Sequence, residues 1–288
     1  MIDETNSCFD GLDRTFIDLS SKLAEPFCWA YGMLRYRFVS PLDPGKFDNT
    51  TSQVREIATR VLIFATAALA FAFAAPHIVI VAALAGAGSQ IFRSIGFALQ
   101  KDRFTHVRGL APEKVLQNGQ ASTLVWGICG EYGGLSYKGG VVHWRSRLDK
   151  IVEKIETVDP DLIVLREIDD TALAEALIAR LQGRYAHFFT HIAGSSCNKT
   201  NGCMVITKCA VSHFSHHDLS NQAGFEMIEL KASPDDASPC VRFMGTELNP
   251  AKECEESRVN QIAEIIHALA KETRVLPTFV VGTNAYRD

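Results

Sequence analysis

The feature that most restricts the fold of this chain is a long segment without charge. Residues 61–92 contain no Asp, Glu, Lys or Arg and are rich in Ala, Phe, Ile, Val and Leu. This run exceeds the roughly 20 apolar residues that a helix needs to cross a bilayer. Soluble helices seldom extend so far without a charge on either face. The pattern therefore predicts a transmembrane region over residues 59–100, whose topology stays open because the flanking basic residues are nearly balanced.

The middle of this segment contains Pro76 and His77, so two membrane arrangements are open. One is a single kinked span, and the other is a hairpin of two short segments, 61–75 and 78–99. A buried helix pair in a soluble domain is the third interpretation of the same pattern.

The flanking segments are less apolar. Residues 1–58 carry apolar residues at helical spacing, which predicts an amphipathic helical segment without a cleavable signal sequence. Residues 101–120 contain Gly109, Pro112 and Gly119 and are predicted to be a polar linker between the apolar segment and a C-terminal domain.

One short segment of that domain indicates its chemistry. Leu162, Ile163, Val164 and Leu165 lie between a Pro-Asp turn and Arg166-Glu167, which predicts a buried strand with Glu167 at its C-terminal end. A carboxylate in this position is a natural ligand for a hard cation such as Mg²⁺. Glu167 at the start of a solvated loop is the alternative interpretation.

Further apolar segments surround this strand in a recognisable order. A strand over 122–130 and a helix over 144–155 precede it, and strands over 204–208, 241–248 and 277–285, with a helix around 258–261, follow it. The order and spacing resemble the endonuclease/exonuclease/phosphatase superfamily of Mg²⁺-dependent phosphoester hydrolases. The resemblance implies an α+β fold, a four-layer α/β-sandwich over 121–288, in which the second sheet is incomplete.

The motifs of this family are altered in the chain. The family has Trp-Asn-Ile, Gln-Glu, Thr-His-Leu and Gly-Asp-x-Asn, whereas this sequence has Trp-Gly-Ile around Gly127, Arg-Glu at Glu167, Thr-Glu-Leu around Glu247 and Gly-Thr-Asn ending at Asn284. The resemblance implies that Glu167 binds the metal, Mg²⁺ or Mn²⁺. With a one-residue deletion in the alignment, Asn284 keeps the phosphate-binding role. Without the gap, Thr283 replaces the Asp and the Asn is lost.

Two further differences from the family affect the expected activity. Glu247 adds a second carboxylate on a neighbouring strand and is a candidate catalytic or metal-binding residue. The family's late Ser-Asp-His segment is expected to be missing, because the sequence ends at Asp288. The cluster of His213, His216, His217 and Asp218 is predicted to form the polar face and end of an edge strand.

Charge and cysteine content narrow the functional classes. The first 103 residues hold ten basic and ten acidic side chains, so the net charge of −4 belongs to the C-terminal part, and nucleic acid is an improbable partner. The eight cysteines include no Cys-x-x-Cys pair, which is typical of free thiols in a reducing, cytosol-like compartment.

Three functions follow from the sequence. The first is a membrane-tethered relative of the phosphoester hydrolases that has lost most catalytic residues and is inactive or weakly active. The second is an active Mg²⁺-dependent phosphodiesterase or phosphatase acting on lipid or small phosphoesters. The third is one half of a split enzyme, completed by another chain at the open edge of the second sheet.

Overall fold

The structure is a computed structural model. It describes residues 12, 15–24, 26, 50–99, 103–116, 120–130, 143–168, 170–192, 202–219, 224–247, 255–272 and 274–282. The helices are α1 (Thr50–Leu99), α2 (Leu148–Val158), α3 (Thr171–Leu181) and α4 (Glu255–Lys271), with a 3₁₀ turn at Trp144–Ser146 and helical residues 15–24. The strands are β1 (Thr105–Arg108), β2 (Thr123–Gly127), β3 (Leu162–Arg166), β4 (His187–Thr190), β5 (Met204–Thr207), β6 (Val211–Asp218), β7 (Gly224–Leu230), β8 (Val241–Glu247) and β9 (Thr278–Gly282).

The C-terminal part is built from two sheets and the helices that cover them. One sheet has the strand order β1-β4-β5-β3-β2 and the other has the order β6-β7-β8-β9. Within them, β2 and β3 are parallel, as are β8 and β9, while the other described pairs are antiparallel. Both sheets are therefore mixed, which agrees with the predicted α+β class.

Three apolar clusters separate four layers. The first cluster packs α2 and α3 against the outer face of the β1–β5 sheet, for example through Ile155, Leu177 and Leu165. The second lies between the two sheets and includes Val164 and Phe243. The third packs α4 against the outer face of the β6–β9 sheet. The order helix, sheet, sheet, helix is the sandwich predicted from the sequence.

Strand β3 is buried on both faces, as the apolar run predicts. Its five residues are all buried, and their side chains alternate between the first cluster and the space between the sheets. The helix that follows begins at Asp170, whose side chain accepts a hydrogen bond from the amide of Ala172. Helix α3 extends from this cap to Leu181.

The interpretation of residues 101–120 as a linker is wrong for the part that the structure describes. Residues 105–108 form β1, which pairs antiparallel with β4, and Leu116 is buried between the sheets. The four-residue strand lacks the apolar run that marks the other strands, so its extended conformation depends on pairing with β4. The domain therefore begins near Arg103 and not near residue 121.

The uncharged segment lies in one continuous helix. Helix α1 includes Pro76 and His77 without a break, so this region is a single helix and not a hairpin. Its 50 residues correspond to about 75 Å, more than twice the thickness of a hydrocarbon core. In the described residues, 80–99 are long and apolar enough to cross a membrane, and only 11% of that segment is buried.

A shorter helix, residues 15–24, packs on the C-terminal half of α1. Ser20 and Ser89 approach each other at 3.1 Å between their hydroxyl oxygens, and the rings of Phe16 and Phe92 stack at 6.0 Å. Ile17 is buried at this contact. The amphipathic pattern predicted for the N-terminal segment is thus explained here by helix packing, and the rest of residues 1–49 lies outside the described part.

Candidate functional site

The first component of the candidate site is Glu167, which directly follows β3. Its backbone has a φ of 63°, in the left-handed region that residues with a Cβ rarely adopt. The turn is held by two backbone hydrogen bonds, from the amide of Gly130 to the Glu167 carbonyl at 2.7 Å and from Ile168 to Gly202 at 2.8 Å. Glu167 is partly exposed, so its carboxylate lies at the rim of the sandwich, as the sequence predicts.

Gly127 lies beside this carboxylate. It is the last residue of β2 and pairs with Arg166 in the parallel register. A Cβ atom built on Gly127 would lie 3.8 Å from the Glu167 carboxyl carbon and 3.9 Å from its Oε2. The residue that the family has as Asn would therefore add its side chain directly next to Glu167. The glycine leaves that position without an oxygen donor.

Below Glu167, a buried ion pair joins the two sheets. Arg166 and Glu226 are 1% and 2% exposed, with Arg166 Nη2 donating to Glu226 Oε2 at 2.7 Å and Nη1 to Oε1 at 3.3 Å. Gly245 makes room for this pair, because a Cβ there would lie 2.9 Å from Arg166 Nη2. Burial raises the pKa of Glu226, but the charges and hydrogen bonds of Arg166 and His216 together outweigh burial, so the pKa is below its usual value.

His216 extends this group of polar residues towards the surface. Its ring is 1% exposed, with Nδ1 at 3.8 Å from Glu226 Oε1 and Nε2 at 3.4 Å from Asp218 Oδ1. Asp218 also forms an ion pair with Arg103, whose hydrogen bond lowers the pKa of Asp218. The histidine cluster does lie on an edge strand, as predicted, but His216 faces the interior.

The other predicted site residues are located only by their backbone or fall outside the described part. Glu247 is the last residue of β8, two positions after Gly245, and opposes Gly224. Since Gly245 contacts Arg166, the ends of β8 and β3 lie at the same rim of the sandwich. Asn284 lies outside the described residues, although it follows β9, which is parallel to β8.

The described part of this rim does not form a complete metal site. Glu167 supplies one carboxylate, and Gly127 supplies no side-chain ligand. Mg²⁺ requires near-octahedral oxygen ligands and is usually held by one or two carboxylates together with substrate phosphates and water. In the residues that the structure describes, no group of three or more His, Cys, Asp or Glu side chains is arranged to hold a metal ion.

The sequence alone did not reveal Arg166, Glu226 and Gly245 as neighbours. The available signal was the presence of two glutamates, Glu226 and Glu229, within the largely apolar strand β7, where a charged side chain requires a partner. Arg166 was visible only as a departure from the family's Gln. Their pairing spans 60 residues of sequence and depends on the stacking of the two sheets.

Comparisons with solved structures find partial likenesses at low sequence identity. Zebrafish TDP2, humanized by 14 mutations, is 14% identical over 59% of this chain and 64% of its own, with a TM-score of 0.45. The human Nocturnin catalytic domain with bound sulfate is 18% identical over 64% of this chain and 68% of its own, with a TM-score of 0.44. Staphylococcus aureus beta toxin is 14% identical over 58% of this chain and 66% of its own, with a TM-score of 0.44.

These three proteins are members of the endonuclease/exonuclease/phosphatase superfamily. The aligned part spans about two thirds of each of these solved chains. No family model matches the sequence, and no curated protein matches it.

Proposed function

We propose that the chain is a membrane-tethered protein with a phosphoester hydrolase fold whose catalytic apparatus is incomplete, so that it is inactive or weakly active. The observation that carries the proposal is Gly127, which leaves the position next to the Glu167 carboxylate without a ligand. Removing one preorganised group from such a site commonly costs about 100- to 1000-fold in rate. The family's strand His and its Asp are also replaced, by Glu247 and Thr283 in the ungapped alignment.

The buried ion pair supports the same function. In the family the residue before the metal-binding Glu is a neutral Gln, whereas here Arg166 brings a positive charge under the rim. Glu226 neutralises that charge at 2.7 Å. The Arg166–Glu226 pair thus keeps both charges compensated between the two sheets without a metal or a substrate.

Membrane tethering is the second component of the proposal. Helix α1 exposes large apolar side chains in its two stretches with described side chains, 54–69 and 80–99, where Leu62, Leu69 and Leu84 are each more than 60% exposed. Apolar surfaces of this kind are unfavourable in water and favourable in a bilayer. Cys209 and Cys240 are free thiols, which fits a C-terminal domain in a reducing, cytosol-like compartment.

Metal binding and turnover test the catalytic component. The full-length chain in detergent is titrated with Mn²⁺ by calorimetry and assayed with bis-p-nitrophenyl phosphate, a generic phosphodiester, beside Glu167→Gln and Gly127→Asn. We expect wild-type turnover to equal that of Glu167→Gln, and we expect Gly127→Asn to bind Mn²⁺ more tightly than wild type. Gly127 has space for a Cβ atom, at 3.8 Å from the Glu167 carboxyl carbon.

The opposite result would establish the alternative function. Turnover by wild type that Glu167→Gln abolishes would identify an active Mg²⁺- or Mn²⁺-dependent phosphoesterase. Glu247→Gln then becomes informative, because a loss of Mn²⁺ affinity in that variant would assign Glu247 as a replacement ligand. Thermal unfolding of each variant verifies that the compared proteins are folded.

A further inference from the structure

The outer edge of β9 is unusual for the edge of a sheet. In the described part of the chain, β9 pairs with β8 on one side, and no strand pairs with its other side. Soluble proteins protect such edges with charged residues, proline or a bulge. The sequence of β9 is Thr-Phe-Val-Val-Gly, which contains none of these. Its backbone donors and acceptors are therefore available to another strand.

Both faces of β9 are also apolar and accessible. Phe279 lies on the face towards the other sheet, where it stacks on Phe243 at 5.3 Å, yet it is 54% exposed. Val280 lies on the opposite face, which α4 covers further inside the sheet, and is also 54% exposed. A strand that added to this edge would bury both residues.

A groove continues this edge between the two sheets. It has a volume of about 760 Å³ and lies between β9 and β2, which is the edge strand of the other sheet. Phe279 and Val281 line one side of it. The two charged residues in its lining, Lys114 and Asp161, are paired with each other at 2.5 Å. The groove therefore presents no unpaired charge and suits an uncharged strand.

We propose that a second copy of this chain covers the edge, through antiparallel pairing of the two β9 strands about a twofold axis at Val280. In this register Phe279 opposes Val281 of the partner, Val280 opposes the partner's Val280, and Thr278 opposes the partner's Gly282. Aromatic with β-branched and β-branched with β-branched pairs are favourable cross-strand neighbours. No charged residue faces another, so β9 is complementary to itself on both faces.

Helix α4, which covers one face of the same sheet, also exposes apolar side chains. Val259, Ile262 and Ile266 recur at helical spacing and are 59%, 45% and 61% exposed. A stable interface usually buries more than about 1000 Å², which five residues of edge strand do not reach alone. The dimer that we propose is accordingly concentration-dependent.

Sedimentation equilibrium of the full-length chain in density-matched detergent tests this inference. The wild-type average mass is expected to rise with concentration from 31.7 kDa towards twice that value. Val280→Lys introduces a charge at the twofold axis and is expected to remain at the monomer mass. Val158→Lys is the matched control, because Val158 is 46% exposed at the end of α2, and it is expected to behave like wild type.

A cross-link locates the contact independently. In Val280→Cys the two introduced thiols lie opposite each other, so mild oxidation is expected to join two copies of the tryptic peptide 275–287 through residue 280. A wild type that stays monomeric at every concentration would overturn the proposal. A dimer that Val280→Lys leaves intact, or a folded Val280→Cys protein that forms no such cross-link, would also overturn it.

Discussion

The buried pair of Arg166 and Glu226 gives the sharpest prediction about stability. Replacing Glu226 with Gln keeps the shape of the side chain but removes its charge, which leaves the Arg166 guanidinium buried without a counter-ion. Both side chains are almost fully inaccessible to water. Removing one member of a buried pair typically costs about 3 to 5 kcal/mol, because the remaining charge is not solvated.

The expected loss converts into a measurable shift of the melting temperature. For a domain of this size, 1 kcal/mol corresponds to about 2 to 4 °C, so Glu226→Gln should lower the melting temperature by about 6 to 20 °C. Differential scanning fluorimetry or calorimetry measures this shift. Asp149→Asn is the control, since Asp149 forms an exposed pair with Arg180 at 2.8 Å, and removing an exposed pair costs no more than about 1 kcal/mol.

A double-mutant cycle separates the pair from its surroundings. Arg166→Gln combined with Glu226→Gln removes both charges, and the double variant should be more stable than the sum of the single losses predicts. Additive losses would refute the interpretation that the two charges stabilise each other. A single variant as stable as wild type would refute it as well.

The pH dependence supplies an independent measurement of the same pair. The pKa of Glu226 in the folded protein lies below the ordinary value of 4.5. The stabilisation is therefore fully present above pH 4.5 and is lost as the pH falls through the folded pKa. Wild type should lose stability more steeply than Glu226→Gln as the pH falls below about 4.5. If the free energy of unfolding falls equally steeply with pH in wild type and in Glu226→Gln, Glu226 does not titrate in this way.

Three further predictions concern other positions. Glu167→Gly should raise the free energy of unfolding by about 0.5 to 1 kcal/mol, because glycine adopts the left-handed conformation without the cost of a Cβ. Glu167→Gln keeps the Cβ and should not raise the free energy of unfolding. Urea unfolding of the two variants and wild type measures the difference. Gly245→Ala should lower the melting temperature, since the new Cβ would lie 2.9 Å from Arg166 Nη2. An unchanged melting temperature would contradict this close approach of Arg166 to Gly245. Burial, followed by the nearby His187, lowers the pKa of His106 from 6.5 to about 4, so stability should fall as the pH decreases from 6.5 to 4. The urea-unfolding midpoint measured against pH tests this assignment. A weaker pH dependence of the midpoint in His106→Phe than in wild type would support it, and an equal pH dependence would contradict it.

The layers of the fold were predictable from the sequence because their signals are local. An apolar β-branched run identified β3, and apolar residues at helical spacing identified the helix that contains α2. Strand β1 was missed because its four residues, Thr-His-Val-Arg, have no such signal and become extended by pairing with β4. The sequence also did not decide whether α1 continues through Pro76 or breaks there into a hairpin.

The candidate site was predictable only in part. The position of Glu167 followed from the end of a buried run, and its placement at the rim is confirmed. The positions of Glu226 and Gly245 around Arg166 did not follow, because these contacts depend on how one sheet stacks on another. Composition predicts that Arg and Glu are exposed, and only the sheet stacking brings their opposite charges together.

The conformation of Glu167 bears on what the chain has retained. Arg166 points between the sheets and stabilises the sandwich, whereas the next residue, Glu167, lies at the rim in a backbone conformation that is costly for any residue with a Cβ. Glycine would satisfy the same turn at lower cost, as it does at the neighbouring Gly202, whose φ is 57°. The Glu167→Gly variant therefore tests whether the charge of this carboxylate has a function of its own. If Glu167→Gly is more stable than wild type and Mn²⁺ binding is lost with it, the rim still binds a cation. If Glu167→Gly is more stable and wild type binds no Mn²⁺, the charge serves another contact of this rim.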